Sequence, residues 1–192
     1  MQLQSTFATI LAFLMLTAIS SASCKSTKIE PIAPILEEAS TAVTPIDTTT
    51  NLLPSIDIKT LEGQTVNILD YVGNGKITII SFWATWCSPC KRELDAIAEI
   101  YPDWQEEYGV DLLAITIDDA RSLAKVPALV ETKGWEYTVL SDASRDLQKA
   151  LNFQTVPQTF LIDQNGGIVY THTGYNPGDE FELEDKVKAL VE

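Results

Sequence analysis

Apolar positions are spread unevenly along this chain. Phe7 to Ile19 (FATILAFLMLTAI) is one unbroken apolar run, followed by the small residues Ser20 to Ser23. The run falls short of the ~20 residues that a membrane-spanning helix needs. That order reads as the hydrophobic region and cleavage zone of a secretory signal over residues 1–23, although the opening MQLQST carries no Lys or Arg. From Lys25 to about Asn51, Thr, Ser, Pro, Ala and Glu dominate, with too few large apolar residues to form a core. Residues 24–50 therefore read as a flexible tether.

Periodic patterning begins beyond Pro54. The segments IDI and TVNIL alternate around Glu62-Gly63-Gln64 and predict a small β-hairpin. Ile77 to Trp83 is nearly continuous in apolar residues, as in a strand buried on both faces. Leu94, Ile97, Ala98, Tyr101 and Trp104 recur at helical spacing, with Lys91, Arg92, Asp95 and Glu99 off that stripe. They predict an amphipathic helix running to about Tyr108, ended by Gly109 and kinked or broken near Pro102. Val110 to Ile117 predicts a second buried strand, Ala120 to Lys133 a helix carrying Pro127, Tyr137 to Leu140 a short strand and Ala143 to Leu151 a further helix. Thr159 to Ile162, the turn Asn165-Gly166-Gly167 and Ile168 to Thr171 form a hairpin, and Glu180 to Val191 a last helix. The order describes an α/β domain over residues 51–192: a mixed central sheet flanked by helices, with an N-terminal β-hairpin extension.

Charge narrows the function. A net charge of −14 over 192 residues, with a pI near 4.3, lacks the basic face that nucleic acid requires and opposes direct binding to anionic lipid. No second long apolar run follows the first.

The chemistry lies in SFWATWCSPCKRE, Ser81 to Glu93, where Cys87 and Cys90 open the amphipathic helix. A closed zinc site needs four ligands, and beside this pair stands a single His172, so metal is not expected. A structural staple across so short a loop removes little unfolded-state entropy. Redox chemistry remains. Cys87 lies at the helix N-terminus, where unpaired N–H groups and the dipole favour a thiolate, and Pro89 suits the first turn. Cys90 lies one turn inside and is expected to be more shielded. Cys87 is thus the expected attacking thiol and Cys90 the resolving one.

The run Phe82-Trp83-Ala84-Thr85-Trp86-Cys87-Ser88-Pro89-Cys90 resembles the active site of the thioredoxin superfamily. Three further features narrow the likeness: an N-terminal hairpin ending in Gly75-Lys76, a Trp-Cys-x-Pro-Cys-Lys-x-Glu run, and Val156-Pro157-Gln158-Thr159-Phe160-Leu161-Ile162-Asp163. Together they resemble the TlpA/ResA-like branch of membrane-anchored extracytoplasmic thiol–disulfide oxidoreductases, over about residues 51–192. The resemblance implies a thioredoxin fold and a cis peptide bond at Pro157, in a loop that pairs with an extended substrate. It also implies a substrate surface made by Trp86, Ser88, Pro89, Val156 and Pro157. Disulfide-containing proteins are the implied substrates, apocytochrome c among them, and a membrane thiol carrier of the DsbD/CcdA kind is the implied electron donor. No cofactor is implied.

Thioredoxin carries a buried Asp at the position of Ser81, six residues before the first cysteine, and a helix-kinking proline at the position of Asp95. Glu93 matches a Glu common in the TlpA/ResA-like branch and is a candidate modulator of the thiol pKa; a solvated helix carboxylate is the other reading. Cys24 follows Ser21-Ala22-Ser23, which is similar to the lipobox of bacterial lipoproteins with Ser21 in place of the usual Leu. The implication is a lipidated Cys24 and a periplasm-like location on a membrane anchor.

Trp83 is expected in the core, Trp86 on the surface and His172 as a surface residue without a role. Asp118-Asp119 reads as a polar strand end, and Asp179, Glu180 and Glu182 as favourable charges in the first turn of the last helix. Two rival functions stand beside the oxidoreductase. One is a thiol-dependent peroxidase of the peroxiredoxin type, although the Pro-x-x-x-Thr-x-x-Cys spacing is missing before Cys87. The other is a non-catalytic peptide-binding lipoprotein with a structural disulfide.

Overall fold

The apolar run beside the cysteines is buried at all six positions from Thr78 to Trp83, because strands pair with it on both sides. In the computed structural model, which describes residues 51–191, the chain forms β1 (Asp57–Thr60), β2 (Thr65–Asn67), β3 (Thr78–Trp83), α1 (Ser88–Tyr108), β4 (Asp111–Thr116), α2 (Ala120–Leu123) and α3 (Val126–Lys133). It continues through β5 (Thr138–Ser141), α4 (Asp146–Ala150), β6 (Gln158–Ile162), β7 (Ile168–Thr173) and α5 (Asp179–Val191). The expected signal, tether and Cys24 lipidation lie outside the described residues. Among the described residues no helix is long and apolar enough to cross a membrane.

The seven strands form one mixed sheet in the order β2-β1-β5-β4-β3-β6-β7. β3, β4 and β5 are parallel, and β6 and β7 add antiparallel at one side. The β1–β2 hairpin adds antiparallel to β5 at the other. Helices flank the sheet, and α1 packs against α5. Side chains alternate between faces along β3. Ser81 and Trp83 face α1, while Phe82 packs on the other face with Phe153 and Phe160 at centroid distances of 4.6 and 5.9 Å.

Three expected elements differ from the structure. The helix expected over Ala120 to Lys133 is two helices, with Pro127 in the first turn of α3, where its missing N–H costs nothing. The helix around Pro102 runs unbroken from Ser88 to Tyr108. Pro102 is exposed, while Leu94, Ile97, Tyr101 and Trp104 keep α1 packed on the core. The helix expected from Ala143 begins only at Asp146, after Arg145 in the left-handed region with φ 60°. Buried Asp142 sets that start. Its Oδ1 accepts from Asp146 N (2.9 Å) and Leu147 N (3.3 Å), and its Oδ2 from Gln148 N (2.8 Å).

The first described residues are held at one end of the sheet. Leu53 N donates to Gly166 O (3.2 Å) and Ile168 N to Asn51 O (2.8 Å), strapping residues 51–53 to the β6–β7 turn. Thr78, at the start of β3, pairs with Ile162, at the end of β6. The strap therefore lies at the opposite end of the sheet from Trp83 and the cysteines.

Because one carboxylate satisfies three N–H groups at the start of α4, Asp142→Ala leaves them without that acceptor, those of Leu147 and Gln148 in buried surroundings. The expected loss is about 2 kcal/mol or more in urea unfolding, with native far-UV circular dichroism retained. An unchanged midpoint would show that α4 does not depend on this cap.

Candidate active site

β3 and β4 end together, with Trp83 opposite Thr116, and the chain turns into α1 just past that edge. Cys87 N donates to Ala84 O (3.0 Å), which closes the turn. Cys87 is the N-cap of α1 with extended backbone (φ −87°, ψ 102°), and its Sγ accepts from Cys90 N at 3.3 Å. The sulfur thus takes the place of the oxygen that usually caps a helix, meeting one of the otherwise unpaired N–H groups. Pro89 lies in the first turn, as its spacing predicts. Cys87 and Cys90 form a disulfide with a Cα–Cα distance of 5.4 Å. Cys90 is fully buried and Cys87 is 4% exposed.

The loop before β6 faces this disulfide. The Val156–Pro157 peptide bond is cis, and the Val156 carbonyl oxygen lies 3.7 Å from Cys87 Sγ. Trp86, 63% exposed, stands beside Cys87, and Ser88 is also exposed. The five positions that the resemblance implies as a substrate surface (Trp86, Ser88, Pro89, Val156 and Pro157) therefore lie with Cys87 at one end of the sheet. Trp83, by contrast, is buried in the core and packs edge-on against Trp135 with centroids 5.1 Å apart.

A clamp that the sequence reading missed holds the turn from below. Asp118, fully buried just past β4, accepts from Thr85 N (2.8 Å), Thr85 Oγ1 (2.9 Å) and Thr116 Oγ1 (2.7 Å). Lys91 Nζ donates to Thr85 O at 3.0 Å. Thr85 is thereby gripped at its N–H, hydroxyl and carbonyl, two residues before the first cysteine. Of the Asp118-Asp119 pair, only Asp119 acts as a simple helix start, accepting from Ser122 N (2.9 Å). The available signal was positional: Asp118 lies two residues past a parallel strand whose neighbour ends four residues before Cys87.

Glu93 is not a solvated helix carboxylate. It is 3% exposed. Its Oε2 accepts from Ser81 Oγ (3.2 Å) and its Oε1 from Thr159 Oγ1 (2.6 Å). Burial pushes its carboxyl up to about 7, against the opposing pull of Thr159, Ser81 and His172. A carboxyl from α1 therefore meets the Ser81 position, where thioredoxin has its buried Asp. Glu93 lies one turn after Cys90 on the same helix and can exchange a proton near neutral pH.

His172 departs from expectation. Its Nε2 lies 3.1 Å from Asp179 Oδ2 and its Nδ1 3.3 Å from Tyr170 Oη. The partner carboxylate is seven residues on, beyond a loop, which is why strand periodicity gave no sign of it. Asp95, where thioredoxin has its proline, accepts from Lys133 Nζ (2.6 Å) and Trp135 Nε1 (3.1 Å) and ties α1 to the end of α3.

Comparison with known proteins agrees with this geometry. The AhpC/TSA family matches residues 49–171. Thiol-disulfide oxidoreductase ResA of Geobacillus thermodenitrificans is 33% identical over 121 residues, covering 63% of this chain and 67% of that one. ResA of Geobacillus kaustophilus is 31% identical over 129 residues, covering 67% and 71%. Among solved structures, a thioredoxin-like protein from Porphyromonas gingivalis is 49% identical with a TM-score of 0.65, covering 72% of this chain and 91% of that one. A thioredoxin family thiol:disulfide interchange protein from Chlorobium tepidum shares the fold at 24% identity and a TM-score of 0.60, covering 74% and 97%. The disulfide at the head of α1, the mixed sheet beneath it and these relatives lead to one assignment: the chain belongs to the AhpC/TSA family and, within the thioredoxin superfamily, to the TlpA/ResA-like thiol–disulfide oxidoreductases.

Proposed function

We propose that this protein reduces disulfides of extracytoplasmic protein substrates, with Cys87 as nucleophile and Cys90 as resolving thiol. One observation carries the roles: Cys87 Sγ accepts the Cys90 N–H at the helix start and lies beside the Val156 carbonyl and exposed Trp86, whereas Cys90 is fully buried. In the reduced protein the same N–H and the helix dipole favour the Cys87 thiolate. That thiolate attacks one sulfur of a substrate disulfide, the S–S bond breaks, and the departing sulfur leaves as a thiolate. Cys90 then loses its proton and attacks Cys87 Sγ, which releases the second substrate thiol and forms the Cys87–Cys90 disulfide. Two electrons pass to the substrate, and a dithiol donor restores the pair.

Trp86, Ser88, Pro89, Val156 and Pro157 form the proposed docking surface, where an extended substrate segment pairs with the Val156–Pro157 loop. Glu93 is proposed to take the proton of Cys90 in the resolving step. Resemblance to the TlpA/ResA-like branch supports apocytochrome c as a client, a DsbD/CcdA-like membrane donor, and anchoring through a lipidated Cys24 in a periplasm-like compartment. The peroxidase alternative requires hydroperoxide consumption with a thiol donor, and the binding-protein alternative requires function without Cys87.

Substituting each cysteine separates their roles. Cys87→Ser is expected to abolish reduction of a protein disulfide. Cys90→Ser is expected to retain the first attack and accumulate a substrate-linked species on a non-reducing gel, confirmed by mass spectrometry. Trapping by Cys87→Ser instead would invert the assignment.

Glu93 also links stability to pH. Its carboxyl keeps its proton to about 7 in the folded protein, against 4.5 for the unperturbed group. Between those values the folded state binds more protons than the unfolded one, so stability falls as pH rises through the window. Burial shifts Asp142 in the same direction, and the difference between wild type and Glu93→Gln isolates Glu93. Across pH 4.5 to 7.5 the wild type is expected to lose on the order of 2–3 kcal/mol more than Glu93→Gln in denaturant titrations. Parallel profiles would show that Glu93 titrates alike in both states.

A further inference from the structure

A carboxyl that is almost fully buried exchanges protons with water only through neighbouring groups. Three strands supply such groups in one row. Ser81 on β3 pairs with Thr159 on β6, and Thr159 pairs with His172 on β7. Directly opposed residues point to the same face of a sheet, so the row leads from beneath α1 out to the edge strand. Glu93 holds the first two positions with its two oxygens. Between it and the third lies a cavity of about 10 Å³, lined by Glu93, Thr159, Tyr170, His172, Tyr175 and Asp179 among others. That is the space of about one water.

His172 keeps its hydrogen bonds in either protonation state. With a neutral ring, Nε2–H donates to Asp179 and Nδ1 accepts from the Tyr170 hydroxyl. With a charged ring, Nδ1–H donates to Tyr170 Oη, whose own proton turns to Glu182 Oε1 at 3.2 Å. Neither state leaves a ring nitrogen unmatched. Asp179 is itself held, accepting from Asn176 N at 2.7 Å. The His172 side chain is 29% exposed, so the ring meets both the cavity and solvent.

We propose that His172, seated on Asp179 and Tyr170, is the outer station of a proton path that joins buried Glu93 to solvent through a single cavity water. This rests on Glu93 as the proton acceptor of the resolving step. As Cys90 sulfur bonds to Cys87 Sγ and the substrate sulfur leaves with the bonding pair, the Cys90 proton passes to the Glu93 carboxylate. Glu93 hands a proton to the water, the water to Tyr170 Oη, and Tyr170 its own proton to His172 Nδ1, while the His172 Nε2 proton passes to Asp179 Oδ2 and from that partly exposed carboxylate to solvent. Re-reduction by the dithiol donor runs the path inward, and no electrons travel along it.

The groups facing the path are Tyr170 and His172 from β7, Tyr175 from the loop after it, and Asp179, Glu180 and Glu182 from α5. Tyr137, ahead of β5, is near enough to feel the Glu93 charge, though its hydroxyl donates to Leu94 O, and Lys186 Nζ lies 5.6 Å from the centre of the Tyr170 ring. Burial and the neighbouring carboxylates push Tyr170 and Tyr175 up to about 12, so near neutrality they relay hydroxyl protons without becoming anions. His172 is a positioning residue for proton flow and does not touch the reacting sulfurs.

The test is time-resolved infrared spectroscopy on the full chain after light-triggered proton release near pH 7, following the carbonyl band of protonated Glu93. The band is assigned by its loss in Glu93→Gln. His172→Gln is expected to slow its rise by about tenfold or more, and imidazole added to the buffer to restore the rate. Tyr170→Phe, which keeps the ring and removes only the hydroxyl, is expected to slow it as well and provides the test if His172→Gln does not fold. A wild-type rate in either variant, or a slowed rate that imidazole leaves unchanged in His172→Gln, overturns the path. If Glu93→Gln removes no band, the acceptor role of Glu93 itself fails, which is a separate result.

Discussion

Everything at this site depends on a helix beginning where two parallel strands end. The first turn of α1 holds N–H groups that no earlier turn can satisfy, and the sequence puts a sulfur there to meet one of them. A sulfur that accepts such a bond is also one whose negative charge is favoured, so capping and activation are a single interaction. It works only if Cys87 is held at the cap position, and the grip on Thr85 provides that hold. Asp118, Lys91 and the shared end of β3 and β4 fix three groups of one residue just upstream.

The second constraint is the price of a buried carboxyl. Removing Glu93 from water makes its charge unfavourable, and two hydroxyl donors return only part of what solvation gave. The balance leaves the group poised between its two forms near neutral pH, where a surface glutamate would be fully ionised. Aliphatic side chains at Ser81 and Thr159 would leave the carboxyl without donors. The hydroxyl pair on β3 and β6 is therefore a condition for burying Glu93 at all.

Local chemistry and long-range contact differed in how well the sequence disclosed them. The strand core, the amphipathic stripe of α1, the glycine that ends it and the two cysteines at its head follow from periodicity and capping, and the structure places them as read. Pro127 and Pro102 were read with the right principle and the wrong outcome. A proline inside a helical pattern can begin a new helix, as in α3, or be carried by one whose opposite side is anchored in the core, as in α1. Glu93 and Asp118 are charged residues in positions that a pattern reader assigns to solvent. Their burial depends on partners 12 and 33 residues away in sequence. His172 found its carboxylate only once α5 folded back beside β7.

The strap formed by residues 51–53 has a mechanical consequence. Its hydrogen bonds to the β6–β7 turn lie at the opposite pole from Cys87. A pull on the chain ahead of Asn51 is borne first by that strap, with the whole length of the sheet between the load and the disulfide. The strap is thus kept apart from the pole that carries the disulfide, Trp86 and the Val156–Pro157 loop, so strain at one end of the sheet need not reach the other.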